Sequence, residues 1–133
     1  MDAQRTSIAE ACLAAAHDGS LDFPTIVGRL IEAGFEGYTV DYRRGTSTYY
    51  LPDGDSVELR NHDHTGPVAS TFEANVVKAA ILEAQTLAPG YTYGGFCRKV
   101  AAAGCAGYIV SFLGRRVVYF GRTAEVHVEY FPQ

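Results

Sequence analysis

The chain has 133 residues, is 47% apolar and carries a formal net charge of −4. This length and composition suffice for a hydrophobic core, and the acidic balance argues against a nucleic-acid-binding protein, since such proteins usually carry a clustered basic excess. The three cysteines are an odd number and form no Cys-x-x-Cys pair, a pattern typical of reduced thiols. With no apolar run of about 18 residues and no export signal, we expect a cytoplasmic protein without a membrane segment.

The first half of the chain predicts two helices followed by three strands. The first helix covers residues 6–17, and Ser7 and Glu10 have the spacing of a capping box. A second apolar stripe at helical spacing follows, and then apolar residues alternate with polar ones, as in a half-buried strand. Two turn sequences, RRGT and PDGD, separate the predicted strands, which are 38–42, 46–51 and 56–60.

The second half predicts the same order of elements after the polar segment 61–69. A helix over 71–87 begins with Ser70 and Glu73 in capping-box spacing. A second helix follows, although Gly94 and Gly95 stand at its start, where better helix formers would be expected. The predicted strands of this half are 107–113, 116–121 and 124–131.

The two halves repeat at a shift of 70 residues. AGFEGYTV begins at Ala33 and AGCAGYIV begins at Ala103, and 103 − 33 = 70. Each segment takes the chain from a helix to a strand, with glycines placed to end the helix and open the strand. The sequence therefore predicts one α+β domain of two ααβββ repeats, about 1–60 and 70–133, with pseudo-two-fold symmetry around antiparallel sheet.

Several of these motifs give the chain a family resemblance. It has an aromatic-x-x-Phe-Cys helix at Tyr93, Phe96 and Cys97, an Ala-Gly helix end, a Tyr-Tyr hairpin and a glutamate before a closing proline. In these features it resembles the YdfO-like family, small bacterial and prophage proteins often labelled "phage envelope protein". The resemblance implies an α+β fold and no established activity.

Paired arginines are the first candidate binding residues. Arg43 and Arg44 follow the first predicted strand of one repeat, and Arg115 and Arg116 lie at the equivalent hairpin of the other. Such pairs can hold a carboxylate or a phosphate in bidentate fashion, which would suit an acidic partner. The favoured interpretation is that they are solvated hairpin ends, where charge prevents aggregation of the sheet.

Histidines, tyrosines and cysteines give weaker candidates. His62 and His64 alternate and could share one metal ion, but a solvated linker is the favoured interpretation. Tyr49 and Tyr50 offer rings with a polar tip for an interface. Cys105 follows the glycine of the second helix end and could be accessible, although a structural cysteine is the plainer interpretation. We expect no bound cofactor and find no catalytic set by spacing.

The second faces of the two predicted sheets differ in polarity. In the first repeat this face carries residues such as Thr39 and Thr48, whereas Ile109 and Val118 occupy it in the second. We expect other parts of the chain to cover the apolar face; a homodimer is the alternative. These features favour a non-enzymatic module that binds a protein partner or itself through sheet faces and hairpins. The alternative is a small-ligand or metal-binding protein with a site between the repeats.

Overall fold

The structure is a computed structural model that describes residues 1–132. Its helices and strands occur in the order ααβββ twice, as the sequence predicts. The elements are α1 (Ala3–Asp18), α2 (Phe23–Glu32), β1 (Gly37–Asp41), β2 (Thr46–Tyr50), β3 (Ser56–Arg60), α3 (Ala74–Gln85), α4 (Tyr93–Ala102), β4 (Cys105–Ser111), β5 (Arg116–Gly121) and β6 (Val126–Tyr130).

Two helix starts differ from the prediction. α1 begins earlier, because the Asp2 carboxylate accepts a hydrogen bond from the Arg5 backbone N–H at 2.8 Å and caps the helix there, so the capping box at Ser7 is wrong. α3 begins later, at Ala74, and its N-cap residue Glu73 makes no side-chain capping bond. Instead the Glu73 backbone N–H donates to the carbonyl of Ala103 at 2.8 Å, which holds the preceding segment extended along the end of α4.

All six strands form one antiparallel sheet in the order β3-β2-β1-β4-β5-β6. The two repeats meet at its centre, where β1 pairs with β4 and Thr39 lies opposite Ile109. These two residues are separated by 109 − 39 = 70 positions, the shift that relates the repeats. A pseudo-two-fold axis therefore passes between them, perpendicular to the sheet, and the predicted symmetry is confirmed.

The core lies between the helices and one face of the sheet. Tyr38, Val40 and Tyr42 project from this face in the first repeat, and all three are buried. The largest aliphatic side chains that are less than 2% exposed come from both helices and strands: Leu30, Val40, Val77, Val100 and Val110. Burial of such side chains is the main stabilising contribution to a fold of this kind.

The repeated AG-x-x-GY-x-V segments build the same contact twice. A side chain at Gly37 would overlap the carbonyl oxygen of Val110, and one at Gly107 would overlap the carbonyl oxygen of Val40. These two contacts are equivalent under the 70-residue shift. The repeated glycines are therefore needed by the close approach of the central strands, and the repeated letters are a structural signature, not a binding motif.

Candidate functional site

The four hairpin arginines do not form one site. β1 and β4 run antiparallel, so the turns that follow them lie at opposite ends of the sheet. Arg43 and Arg44 are therefore at one end, and Arg115 and Arg116 are at the other. The sequence pattern placed each pair correctly on a hairpin, but a single anion could not contact both pairs.

Three of the four arginines have local contacts within the chain. Arg44 lies 3.6 Å from the carboxylate of Glu58, in an exposed ion pair of small energetic weight. Arg115 donates to the carbonyl of Pro132 at 3.0 Å. The guanidinium of Arg116 lies 4.8 Å from the centre of the Tyr130 ring, a cation–π distance. These contacts favour solvated, locally anchored hairpins over a preformed anion site.

The sheet face turned away from the helices is open, and we call it the open face. Its central row crosses all six strands through successive cross-strand pairs: Glu58, Thr48, Thr39, Ile109, Val118 and Val128. The row consists of three repeat-equivalent pairs, and each pair is polar in the first repeat and apolar in the second. The open face is therefore half polar and half apolar, divided at the pseudo-two-fold axis.

The expectation that other parts of the chain cover this face is wrong. Ile109, at the centre of the sheet, is 44% exposed, and Tyr130, at the edge, is 66% exposed. The helices pack on the opposite face, so the apolar half of the open face meets solvent. An apolar sheet face that no part of residues 1–132 covers is a candidate interaction surface.

The two candidate tyrosines have different environments. Tyr49 is buried in the core, where its ring stacks on that of Tyr38 with 5.1 Å between centroids. Tyr50, the next residue along β2, projects from the open face and is 38% exposed. Since side chains alternate along a strand, only one of the two can reach a partner, and that residue is Tyr50.

Cys105 is a packed thiol. It is completely buried, and its Sγ donates to the carbonyl of Gly107 at 3.2 Å. Burial raises its pKa to about 11, so the thiol stays protonated at neutral pH. The idea that this residue is accessible is wrong, because the start of β4 lies under the helices.

A cluster of tyrosine hydroxyls and thiols fills the core near the start of α4. The hydroxyls of Tyr93 and Tyr108 share a hydrogen bond of 2.5 Å, whereas the Tyr42 hydroxyl has no partner among the described residues. Burial raises the tyrosine pKa values well above their usual value of 10.0 and raises that of Cys97 to about 11. All of these groups are neutral at pH 7, so the cluster holds no thiolate nucleophile or charged base.

The structure brings together ionisable residues whose positions in the sequence did not predict a contact. His17, at the end of α1, places its Nδ1 3.2 Å from a carboxylate oxygen of Asp63. The ring of His62 stacks on that of His17 with 4.9 Å between centroids, and the ring of Tyr93 meets His17 edge-on. The side chain of His17 is only 8% exposed, and its Nε2 has no partner within residues 1–132. Burial lowers the pKa of His17 despite the nearby carboxylate.

Gly94 is the position in the sequence that could have indicated this contact. A side chain at Gly94 would overlap the carboxylate of Asp63, which lies beside the first turn of α4. The glycine that weakens the helix start thus leaves room for the Asp63 side chain of the linker. His64 is exposed on that linker, as are His62 and Asp63, but it does not take part in this cluster of contacts. Within the described residues no group of three or more His, Cys, Asp or Glu side chains is arranged to hold a metal ion.

Comparison with known proteins places the chain in a family. A family model described as a protein of unknown function, DUF1398, matches residues 13–129. The chain belongs to the DUF1398 family. No curated protein matches it. The matched range takes in most of this DUF1398 chain, from within α1 to within β6, so both repeats belong to the family's pattern.

The structure of this DUF1398 protein offers two surfaces for function besides its packed interior. The first is the open face, with its apolar half and the exposed Tyr50. The second is the seam around His17 and Asp63, where the linker meets both repeats. Among residues 1–132, no helix has the length and apolar character needed to span a bilayer.

Proposed function

We propose that this protein is a non-enzymatic interaction module that binds a partner protein through its open face. The observation that carries the proposal is the exposure of Ile109, which stands at the centre of a sheet yet meets solvent. Val118 and Phe120 extend the same surface along β5 and are partly exposed. We also propose, from the resemblance to the YdfO-like family, a cytoplasmic protein of bacterial or prophage origin.

The dimensions of the open face suit a standard interface. Three strands about 4.8 Å apart and about 17 Å long give the apolar half a projected area of roughly 250 Å². A typical stable interface buries about 800 Å² on each partner and has an apolar centre within a polar rim. The apolar half supplies such a centre, and the polar half and the hairpins supply the rim.

Charge on the open face favours a different protein over a second copy of this chain. A symmetric face-to-face stack centred on the pseudo-two-fold axis has two arrangements. One places Glu58 against Glu58 of the second copy, and the other places it against Val128 of the second copy. Both bury the carboxylate without a new cation, which is costly. A partner with its own basic residue opposite Glu58 avoids that cost.

The test compares substitutions on the open face with one on the helical layer. Wild-type protein, the variant Ile109→Lys/Val118→Lys and the variant Leu82→Lys serve as baits in the native host, with quantitative mass spectrometry of the bound proteins. Leu82 is 59% exposed on the helical layer and controls for loss of an exposed apolar side chain. We expect one protein near stoichiometric amounts with wild type and Leu82→Lys, and its loss with the double variant.

Two outcomes would contradict the proposal. Retention of the same partner by Ile109→Lys/Val118→Lys would show that binding does not use the open face. A stable dimer of the purified wild type in multi-angle light scattering, abolished by the double variant, would assign the face to self-association instead.

A second candidate function is a small-ligand or metal-binding protein with its site between the repeats. The unpartnered Nε2 of His17 favours it, because the Nδ1 contact with Asp63 resembles the outer-shell contact of a metal-bound histidine. Titration with Zn²⁺ and Ni²⁺, followed by thermal unfolding, tests this candidate. A midpoint that rises with metal in wild type, but not in His17→Gln, supports a metal site, and an unchanged midpoint in wild type excludes a site for Zn²⁺ or Ni²⁺.

A further inference from the structure

A groove runs between α1 and β3, the edge strand of the first repeat. Its volume is about 180 Å³, and it is lined by Glu10, Leu13, Leu59, Arg60 and His62. Leu13 is buried and Leu59 is partly buried, so the floor is apolar. Stacking on His17 holds the His62 ring at one wall. The groove is separate from the open face, because Leu59 projects toward the helices.

The strand beside the groove has unpaired backbone groups. The Asn61 N–H donates to the Gly45 carbonyl at 2.9 Å, which fixes the alternation of hydrogen bonds between β2 and β3. The backbone N–H and C=O groups of Leu59 and Val57 therefore point toward β2. Those of Glu58 and Arg60 point outward, away from the sheet. An outward row of N–H and C=O groups is a template for another strand.

The second repeat closes the equivalent seam. There Gln85 of α3 donates to Glu129 of β6 at 3.3 Å, so a side-chain hydrogen bond joins the helix to the edge strand. The positions 70 residues earlier are Ala15 and Leu59, which cannot form that bond. The groove of the first repeat therefore lacks the side-chain bridge that the second repeat has between its helix and its edge strand.

Charge around the groove selects the kind of segment that fits. Glu10 lines the groove, and it forms no ion pair with any of residues 1–132. Residues 1–70 hold 11 acidic and 5 basic side chains, a net charge of 5 − 11 = −6. Alternation along β3 directs the guanidinium of Arg60 toward the open face, so Arg60 presents its backbone to the groove. The groove thus has an apolar floor and one carboxylate, that of Glu10, at its rim.

We infer that this groove binds an extended peptide segment carrying a basic residue two positions from an aliphatic one. The segment adds as a further strand to β3 and pairs with the outward N–H and C=O groups of Glu58 and Arg60. Its aliphatic side chain packs on Leu13 and Leu59, and its basic side chain meets Glu10. Main-chain pairing supplies affinity in this mode, and the pocket and the charge supply selectivity.

The inference is tested with two blocked heptapeptides on the full chain. The probe is Thr-Lys-Thr-Leu-Thr-Lys-Thr, whose palindromic order allows either strand direction, and the comparison peptide replaces both lysines with glutamate. NMR amide shifts follow each titration. We expect saturable shifts at Glu58, Arg60 and Leu13 with the basic peptide, and slower hydrogen exchange of the Glu58 and Arg60 amides. The equivalent edge residues Val128 and Tyr130 serve as the internal control and should not shift.

Matched variants separate main-chain pairing from charge. Glu58→Pro removes one outward N–H, which edge strands tolerate, and should raise the Kd about fivefold. Val128→Pro, the same change at the equivalent position of β6, should leave the Kd unchanged. Glu10→Lys should weaken binding of the basic peptide about fivefold, whereas Glu32→Lys on α2 should not.

Three results would overturn the inference. They are the absence of saturable shifts with the basic peptide, equal shifts on β6 and β3, and equal affinity for the acidic peptide. If Glu58→Pro does not fold, the hydrogen-exchange measurement on wild type decides alone: unchanged exchange at Glu58 and Arg60 in the presence of bound peptide refutes strand addition.

Discussion

Gly34 and Gly104 end equivalent helices with almost the same backbone conformation, yet we expect alanine to cost very different free energies at the two sites. Their φ angles are +97° and +92°. An alanine side chain in this left-handed region costs about 1–2 kcal/mol. At Gly34 the added Cβ would make an ordinary contact, 3.5 Å from the Arg5 guanidinium, so Gly34→Ala should cost no more than that.

At Gly104 the added Cβ would lie 2.5 Å from the carbonyl carbon of Thr71 and 2.8 Å from the Cα of Phe72. Backbone must then move, and overpacking of this kind adds about 1–3 kcal/mol. The movement also strains the adjacent hydrogen bond from Glu73 to Ala103, whose loss adds about 1 kcal/mol. Gly104→Ala should therefore lower the free energy of unfolding by about 3–6 kcal/mol.

Urea denaturation followed by far-ultraviolet circular dichroism measures both values, provided that the slope with denaturant stays the same. Gly54→Ala is the control, because Gly54 has a φ of +91° with nothing within 4 Å of an added Cβ. It should behave like Gly34→Ala. Equal losses for Gly34→Ala and Gly104→Ala would refute the reasoning, since they would mean that the segment at Thr71 does not pack on the second helix end.

Three further predictions concern buried ionisable groups. Tyr93→Phe and Tyr108→Phe should each cost about 1–3 kcal/mol, because each leaves the other hydroxyl without its partner, and the double variant should cost less than their sum in urea denaturation. Since burial lowers the pKa of His17 below its usual 6.5, the unfolded chain binds a proton more readily, and stability should fall as the pH drops through 6.5. His17→Gln should show a smaller loss of the thermal midpoint between about pH 7.5 and pH 5.5; an equal loss would contradict this. With pKa values of about 11, Cys97 and Cys105 should react with a disulfide reagent only after urea unfolds the chain, and fast reaction of either thiol in the native state would show that it is accessible.

The sequence predicted the order of elements and the symmetry because both depend on local patterns. Apolar stripes of helices, alternation along strands and glycine positions can each be recognised within a few residues. Each of these patterns occurs twice, 70 residues apart. That shift also predicted the symmetry confirmed at Thr39 and Ile109. Helix starts were less predictable from the sequence. Ser7 has the spacing of a capping box, but α1 is capped at Asp2, whose charged carboxylate also contacts Arg5.

The candidate sites depended on contacts that spacing does not encode. His17 and Asp63 lie 46 positions apart, so their contact follows from how α1 packs beside the linker. Gly94 was a usable clue, since a glycine at a helix start leaves room for a neighbouring side chain, here that of Asp63. The expectation that the open face is covered was wrong for a geometric reason: one layer of four helices covers only one face of a six-stranded sheet.

The central row of the open face has a consequence for how such a surface can change. In a homodimer of single ααβββ units, each mutation would appear on both sides of the axis, and the two halves of the face would have to share one character. In the joined chain, Thr39 and Ile109 face each other across the same axis as different residues. Covalent connection of the repeats therefore allows one half of the face to become adhesive while the other half preserves solubility.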